Sequence, residues 1–444
     1  MNQTWTRYLP SFFRDKIEGR HQLQQAIGNT GWLFADRICK MAGTLLVSIW
    51  LTRYLGPERF GILSYATAFV LVFSSIASMG LDWVVVRNVV RDPSRRDEIL
   101  GTTFALKLAG GATSICLAMA AIIILRPDDP SIWLMVGIIA LGLAFQAFST
   151  FDFWFQSQVQ SKYAVYARSS AFLLICGTKI VLILLKAPLA AFALTATVEI
   201  VLGSAGLVAA YQANGHRLKT WRATRSMAGE LLRDSWPLML TDIVMLAYMR
   251  LDQVMLGEMA GNAEVGIYSV AVMLAEAWYF IPMVITSSIF PSVVEAREKG
   301  EEQFYDRLQR YYNLMAFLGY AVAIPVTFIA GWVMTFLFGD AYSAAGPMLT
   351  GLVWAGLFIN LSIARSSYLT VMNWTRLHFI TDLLGLAANV ALNLYLIPRY
   401  GGMGAVLASL VAYWLVAHGS CFMFKPLFRT GVMMTRAMVY PKFW

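Results

Sequence analysis

The chain has 444 residues, of which 58% are hydrophobic and only 14% are charged. A typical soluble domain carries about 25% charged residues, so this composition excludes an ordinary soluble protein. The apolar residues form long runs such as 99–125 and 133–151, and a membrane-spanning helix needs about 20 mostly apolar residues. The sequence therefore predicts an all-α integral membrane protein without a separate soluble domain.

Residues 1–29 precede the first apolar run and are polar and basic. The stretch 11–27 places Phe12, Phe13 and Ile17 among basic side chains, which is typical of an interfacial amphipathic helix. A solvated tail is the alternative interpretation. In either case we expect a cytoplasmic N-terminal tail.

Hydropathy predicts about twelve spans in the rest of the chain. They are 30–50, 61–80, 99–125, 131–151, 165–185, 189–212, 236–256, 265–287, 313–338, 344–364, 379–397 and 402–424. The basic stretch 213–235 separates two sets of six. We therefore predict an N-lobe (30–212), a cytoplasmic linker (213–235), a C-lobe (236–424) and a cytoplasmic C-terminal tail (425–444).

The distribution of basic residues predicts the orientation. On one side of the predicted membrane, the tails, the linker and the loops hold 24 Lys and Arg residues, whereas the loops on the other side hold 5. Because basic residues concentrate in cytoplasmic loops, both termini are expected in the cytoplasm. The formal net charge of +9 is thus a topology signal, and we expect no nucleic-acid partner.

A short repeat links the two halves. LGPERFGILSYA at 55–66 aligns with AGNAEVGIYSVA at 260–271 at a constant offset of 205, and both copies follow the first helix of a set of six. Since six is an even number, the two lobes should share one orientation and be related by an axis along the membrane normal. The pattern favours two lobes around a central cavity.

Five stretches carry a resemblance to a known family. They are RYLGPERFGILSYA (53–66), MGLDWVVVRNVVRD (79–92), LDQVMLGEMAGNAEVGIYSVA (251–271), FPSVVE (290–295) and NLYLIPRYGGMGAVLAS (393–409). In this order and spacing they resemble the Wzx-type O-antigen and exopolysaccharide flippases, the polysaccharide branch of the multidrug/oligosaccharidyl-lipid/polysaccharide flippase superfamily.

The resemblance implies a flippase with no covalent chemistry and no cofactor. It implies that an oligosaccharide on undecaprenyl pyrophosphate moves from the cytoplasmic to the outer leaflet of a bacterial inner membrane by alternating access. The substrate and membrane lipid would be its partners, with a polymerase and other glycan assembly proteins as further candidates. The chain shows no enzyme motif, metal motif or nucleotide-binding loop, so H⁺ or Na⁺ could supply the energy, as could consumption of the product.

Charged residues inside the predicted spans are the candidate functional residues, because charge in lipid is costly. The N-lobe spans hold more bases than acids, and the C-lobe spans hold more acids than bases. A pyrophosphate needs cations, whereas coupling to an ion needs carboxylates. The expected substrate-binding cations are Arg37, Lys40 and Arg250 inside the spans, and Arg87 just below the second span at the cytoplasmic entrance. The expected coupling or gating acids are Asp36, Asp242, Asp252 and Glu276. Structural ion pairs are the alternative role for each of them.

Two other functions fit the same class of protein. A cation-coupled multidrug exporter of the same superfamily would also have twelve helices, but it would favour an acidic, aromatic cavity over one rich in bases. A membrane scaffold without transport of its own would not need many charges inside its spans. The base-rich N-lobe therefore favours the flippase over both.

Overall fold

The computed structural model describes the backbone of residues 21–440 and the side chains of residues 37–440. The side chain of Asp36 and residues 11–20 of the predicted interfacial helix lie outside these ranges, and residues 21–27 belong to the first long helix. The described chain consists of helices joined by short turns and contains no strand. Ten of its segments are long and apolar enough to cross a membrane, and the protein is an all-α multi-pass membrane protein, as predicted.

The first half of the chain forms seven helices. They are α1 (His21–Ser78), α2 (Asp82–Arg91), α3 (Arg96–Leu125), α4 (Pro130–Phe145), α5 (Ser149–Ser157), α6 (Lys162–Leu184) and α7 (Leu189–Ala213). Helix α1 comprises two predicted spans, because Gly56 has a left-handed φ of 69° and turns the chain between them. Without a Cβ, glycine adopts this conformation at little cost.

The second half forms nine helices. They are α8 (Arg225–Met259), α9 (Asn262–Glu276), α10 (Phe280–Lys299), α11 (Glu301–Phe338), α12 (Ala345–Val371), α13 (Thr375–Tyr400), α14 (Gly402–Trp414), α15 (Ser420–Met423) and α16 (Phe428–Val439). Each of the twelve predicted spans falls on these helices or on those of the first half. Helix α8 is not among the ten most apolar segments, since its apolar stretch includes Asp242, Arg250 and Asp252.

The two lobes meet most closely where the repeat lies. Gly61 of α1 faces Gly266 of α9, and the backbones touch: a methyl group added to Gly61 would overlap the backbone oxygen of Asn262, and one added to Gly266 would overlap that of Pro57. These contacts are symmetric under the repeat offset of 205. We call this end of the molecule, marked by Gly61 and Gly266, the crossing end.

The opposite end, which we call the linker end, holds residues 213–235. Trp221 of the linker stacks on Phe151 of the N-lobe at 4.8 Å and donates a hydrogen bond to Tyr211 at 3.1 Å. Burial lowers the pKa of His216, which lies against Trp154. The linker is thus packed on the N-lobe, and its last residues, from Arg225 onward, already belong to helix α8.

The C-terminal helix α16 lies within the predicted tail 425–444 and is packed on the C-lobe. Gln309 donates to the backbone oxygen of Met433 at 3.0 Å, and Tyr320 donates to that of Met438 at 3.0 Å. The guanidinium of Arg429 lies 3.4 Å from the ring of Tyr305. The described part of the predicted tail is therefore an ordered part of this lobe.

We expect Gly61→Ala to lower the apparent melting temperature of the detergent-solubilised protein. The added methyl group overlaps backbone atoms of Asn262, which cannot rotate away, and overpacking of this kind costs about 1–3 kcal/mol. Gly177→Ala is the matched control, because no atom lies within 4 Å of its added methyl group. A melting temperature for Gly61→Ala as high as that of the control would contradict the backbone contact.

Candidate functional site

At the crossing end a polar cluster joins the lobes. The guanidinium of Arg126, in the turn after α3, donates to the carboxylate of Glu258 at 2.8 Å, to the backbone oxygen of Gly257 at 2.7 Å and to Asn262 at 3.2 Å. It also lies 4.4 Å from the ring centre of Tyr65, whose hydroxyl donates to the same carboxylate. We call this cluster the latch. Every contact of Arg126 with α8 crosses from the N-lobe to the C-lobe.

Two further contacts close the same end. Arg53 donates to the backbone oxygen of Leu337 at 2.8 Å, and Tyr342 donates to that of Thr52 at 3.0 Å. Both pairs join α1 to the segment at the end of α11. Together with the latch and the contact between Gly61 and Gly266, these hydrogen bonds close the boundary between the lobes at the crossing end.

Arg37 and Lys40 lie on α1, well away from the crossing. Arg37 is exposed, and its guanidinium approaches the sulfur of Met283 of α10 at 3.6 Å, so it lies at the boundary between the lobes. Lys40 is half-buried and lines a cavity of 310 Å³ inside the N-lobe. The two cations are therefore neighbours along the helix but face different surroundings.

Two other bases of the N-lobe have acidic partners. Lys107 is buried and donates to Asp82 at 2.7 Å and to Ser149 at 2.8 Å. Arg168 forms an ion pair with the buried Asp152 at 2.8 Å. The cationic excess that the sequence assigned to this lobe is therefore partly compensated by acids outside the predicted spans.

The remaining two candidate cations also form ion pairs. Arg250 pairs with Glu276 of the next helix at 3.0 Å, and both side chains are about three-quarters buried. Arg87 pairs with Asp234 across an exposed contact between α2 and α8. The first pair brings together a predicted cation and a predicted coupling acid. The second ties the start of α8 to the N-lobe at the linker end.

Asp252 is the most deeply buried of the candidate acids, with 3% of its surface exposed. It accepts hydrogen bonds from Asn393 at 2.6 Å, from Tyr268 at 3.1 Å and from Ser409. Asn393 in turn donates to Asn389 at 3.0 Å. These described partners are all neutral and come from α9, α13 and α14, so Asp252 connects α8 to the core of the C-lobe.

Asp242 lies on α8, ten residues before Asp252. It is half-buried on α8 and lies within electrostatic range of Asp82 of the N-lobe. Like charges within this range repel each other. Asp242 is therefore close to the linker-end boundary, and Asp252 is not.

Several charged residues of the structure were missing from the sequence prediction. Arg126, Glu258, Asp82, Asp152 and Arg365 all lie at or just beyond the ends of predicted spans. Arg365 is completely buried and donates to hydroxyl groups of α13 and α15. The helices are longer than the hydropathy segments, and a search extended by a few residues at each end would have included these side chains.

Comparison with known proteins identifies the family. The family described as "Polysaccharide biosynthesis protein" matches residues 27–297, which is more than half of the chain. The chain belongs to this family. This confirms the resemblance to polysaccharide flippases that was drawn from the sequence.

Individual relatives are more distant. The probable flippase AglR of Haloferax volcanii is 28% identical over 206 residues, which cover 43% of this chain and only 41% of that protein. An inward-facing multidrug resistance MATE family transporter has a TM-score of 0.69 at 16% identity, covering 88% of this chain and 96% of its own. The lipid II flippase MurJ, in an inward closed conformation, has a TM-score of 0.66 at 13% identity, covering 94% of this chain and 91% of its own. At such low identity the two structures show the shared fold.

We expect Arg126→Ala to open the crossing end more often. Hydrogen bonds to charged groups are worth about 1.5–3 kcal/mol each, so losing one would raise the open population about tenfold or more. The measurement is the rate at which a water-soluble maleimide labels Thr52→Cys, a buried boundary position, in a chain whose four native cysteines are replaced by alanine.

Arg399→Ala is the matched control for this experiment. Arg399 is an exposed arginine near the same end, and its described contacts go to Tyr395 of its own helix. Equal labelling rates in the two variants would show that the latch does not hold the lobes together.

Proposed function

We propose that this protein is a flippase that moves an oligosaccharide on undecaprenyl pyrophosphate from the cytoplasmic to the outer leaflet of a bacterial inner membrane by alternating access. The family membership and the MATE and MurJ fold support a transporter of this class. The glycan and its carrier are proposed from the family, and the arrangement of the charges supports a pyrophosphate.

The observation that carries the proposal is the asymmetry of the boundary between the lobes. The crossing end is held by backbone contact and by the latch, whereas Arg37 lies exposed at the boundary toward the other end. The linker end carries most of the basic residues and would therefore be cytoplasmic. In this arrangement the molecule is closed toward the outside and presents a cation to a substrate arriving from the cytoplasm.

Arg37 and Lys40 are the proposed ligands of the pyrophosphate. Arginine offers a bidentate fork to phosphate oxygens, and lysine adds a point charge. Because Arg37 lies at the boundary, a lipid-linked headgroup could reach it while the carrier chain stays in lipid. Arg250 and Arg87 are tied to Glu276 and Asp234, so they would contribute only after those pairs separate.

We expect an Arg37→Gln, Lys40→Gln double variant to lose export of the glycan in cells while it is produced and inserted normally. The measurement is surface glycan in a strain that lacks its own flippase, together with the amount of the variant in membranes. Lys179→Gln is the matched control, because Lys179 lies in the apolar stretch of α6 and does not line the cavity. Normal export by the double variant would exclude a substrate role for these cations.

The same variants distinguish a flippase from the alternative function, a multidrug exporter. A multidrug exporter would transport organic cations from reconstituted vesicles, and removal of two positive charges would leave that transport intact or improve it. Flux of a lipid-linked oligosaccharide that depends on both cations would support the flippase instead.

We further propose that Asp252 couples transport to H⁺ or Na⁺. A buried carboxylate with neutral hydrogen-bond partners lacks the counter-charge that usually compensates desolvation, and binding a proton or a sodium ion would supply it. Its partners lie on three other helices, so the occupied and empty forms would favour different packing of the C-lobe. An ion shifts a conformational equilibrium only through such a difference in affinity.

The other proposed acids would help to control when the boundary between the lobes opens. Separation of the lobes would remove Asp242 from Asp82, and a shift of α9 would free Glu276 from Arg250. Both changes would alter the charges around a carboxylate and so favour one arrangement of the lobes over the other. The proposed gating role of Asp36 rests on its position four residues before Lys40, on the same helix face.

We expect Asp252→Asn to make flux in reconstituted vesicles insensitive to imposed pH and Na⁺ gradients, because asparagine keeps the shape but cannot bind the ion as a carboxylate does. Glu295→Gln is the matched control, since Glu295 is exposed and bonded to Lys299 on its own helix. If flux through the unmodified protein ignores both gradients, Asp252 is structural and transport runs downhill.

A further inference from the structure

The 310 Å³ cavity of the N-lobe is partly open and is lined by α1, by the junction of α4 and α5, and by α6 and α7. Six polar side chains line it: Lys40, Gln146, Ser149, Arg168, Glu199 and Ser204. The rest of the wall is apolar and includes Phe145 and Leu207. A largely apolar wall with a few converging polar groups is the usual form of a small-molecule site.

The charges around this cavity are nearly balanced. Lys40 and Arg168 are positive, Glu199 is negative, and Arg168 is already paired with Asp152 at 2.8 Å. A pyrophosphate bound inside the chamber would require a clear excess of cations, which the chamber does not have, so Lys40 would meet the phosphates only at the edge nearest Arg37. The donors and acceptors of the chamber, including the amide of Gln146, instead match a neutral ligand that carries several hydroxyl groups.

The size of the cavity restricts the ligand further. A volume of 310 Å³ is at the lower end of the roughly 300–1,000 Å³ typical of ligand pockets, so the cavity has room for a single ring, and the rest of an oligosaccharide would lie outside its partly open mouth. Its position adds to this: Lys40 is one helical turn from Arg37, which lies at the boundary of the lobes. A headgroup bound at Arg37 would place its sugars close to this chamber.

We propose that the N-lobe cavity binds one uncharged sugar ring of the transported oligosaccharide and so selects among glycans. This inference rests on the proposed flippase function and assigns the sugar and the phosphate to different sites. Arg37 at the boundary holds the phosphates together with Lys40 one turn away, and the cavity recognises the ring through Gln146, Glu199 and Ser204. The apolar wall at Phe145 packs against the face of the ring.

Gly203 provides a steric test of this site. It lines the cavity, and a methyl group added to it would have Arg168 Cγ, at 3.9 Å, as its nearest neighbour. Gly203→Ala should therefore leave the chamber open, whereas the longer side chain of Gly203→Leu should fill it. Gln146→Leu is a second variant that removes an amide while nearly keeping the volume.

The experiment is saturation-transfer NMR on the full chain in nanodiscs, with N-acetylglucosamine and methyl glucuronide as probes. We expect N-acetylglucosamine to receive saturation from the unmodified protein and from Gly203→Ala. The signal should be lost with Gly203→Leu and weakened about 2- to 10-fold with Gln146→Leu, the effect of one hydrogen bond. Melting temperatures identify any variant that fails to fold.

Three results would overturn the inference: no saturation of N-acetylglucosamine by the unmodified protein, a signal unaffected by Gly203→Leu and Gln146→Leu, or preference for the glucuronide. The flippase function is tested separately by the export assay. Sugar binding that depends on Gly203, in a protein that exports no glycan, would support the cavity assignment and reject the flippase. Normal export by a folded Gly203→Leu variant would reject the cavity assignment alone.

Discussion

The backbone contact between Gly61 and Gly266 is the constraint on which the rest of the structure depends. No side chain fits between the two helices at this point, and small residues allow membrane helices to approach this closely. The contact is symmetric: Gly61 meets Asn262 and Gly266 meets Pro57, and the repeat offset of 205 relates one pair to the other. It therefore fixes the axis between the lobes, and the latch around Arg126 can form only because the helices cross there.

Helix α8 belongs to both lobes, which explains how their relative position is controlled. Its first turns pack on the N-lobe, where the backbone of Gly80 touches that of Ser235 and Arg87 binds Asp234. Further along, Asp252 is bonded into the C-lobe. Pro237 lies between these parts and removes one backbone hydrogen bond of the helix. A change in the angle between the lobes would be absorbed most easily near this residue.

The charges inside the membrane region serve three different purposes in this arrangement. Lys107 and Arg168 are neutralised within the N-lobe and hold its helices together. The latch joins the lobes through a pair that must break for the crossing end to open. Arg37 remains at the boundary, where it is accessible to a ligand. The nearly balanced charge of the N-lobe cavity follows from the first of these, since its arginine is already compensated.

The sequence by itself determined the all-α membrane class, the repeat and the family, because these depend on residues close together in the chain: apolar runs, glycine turns and short motifs. It also selected Arg37, Lys40 and Asp252 as residues that lipid would not tolerate. Only the tertiary structure decided which charge meets which. Lys107 and Asp82 are 25 residues apart, and Arg126 and Glu258 are 132 apart, on helices whose mutual facing no local pattern reveals. Hydropathy also ended each span before its terminal charges, so the partners that neutralise the buried bases became visible only when the helices were packed together.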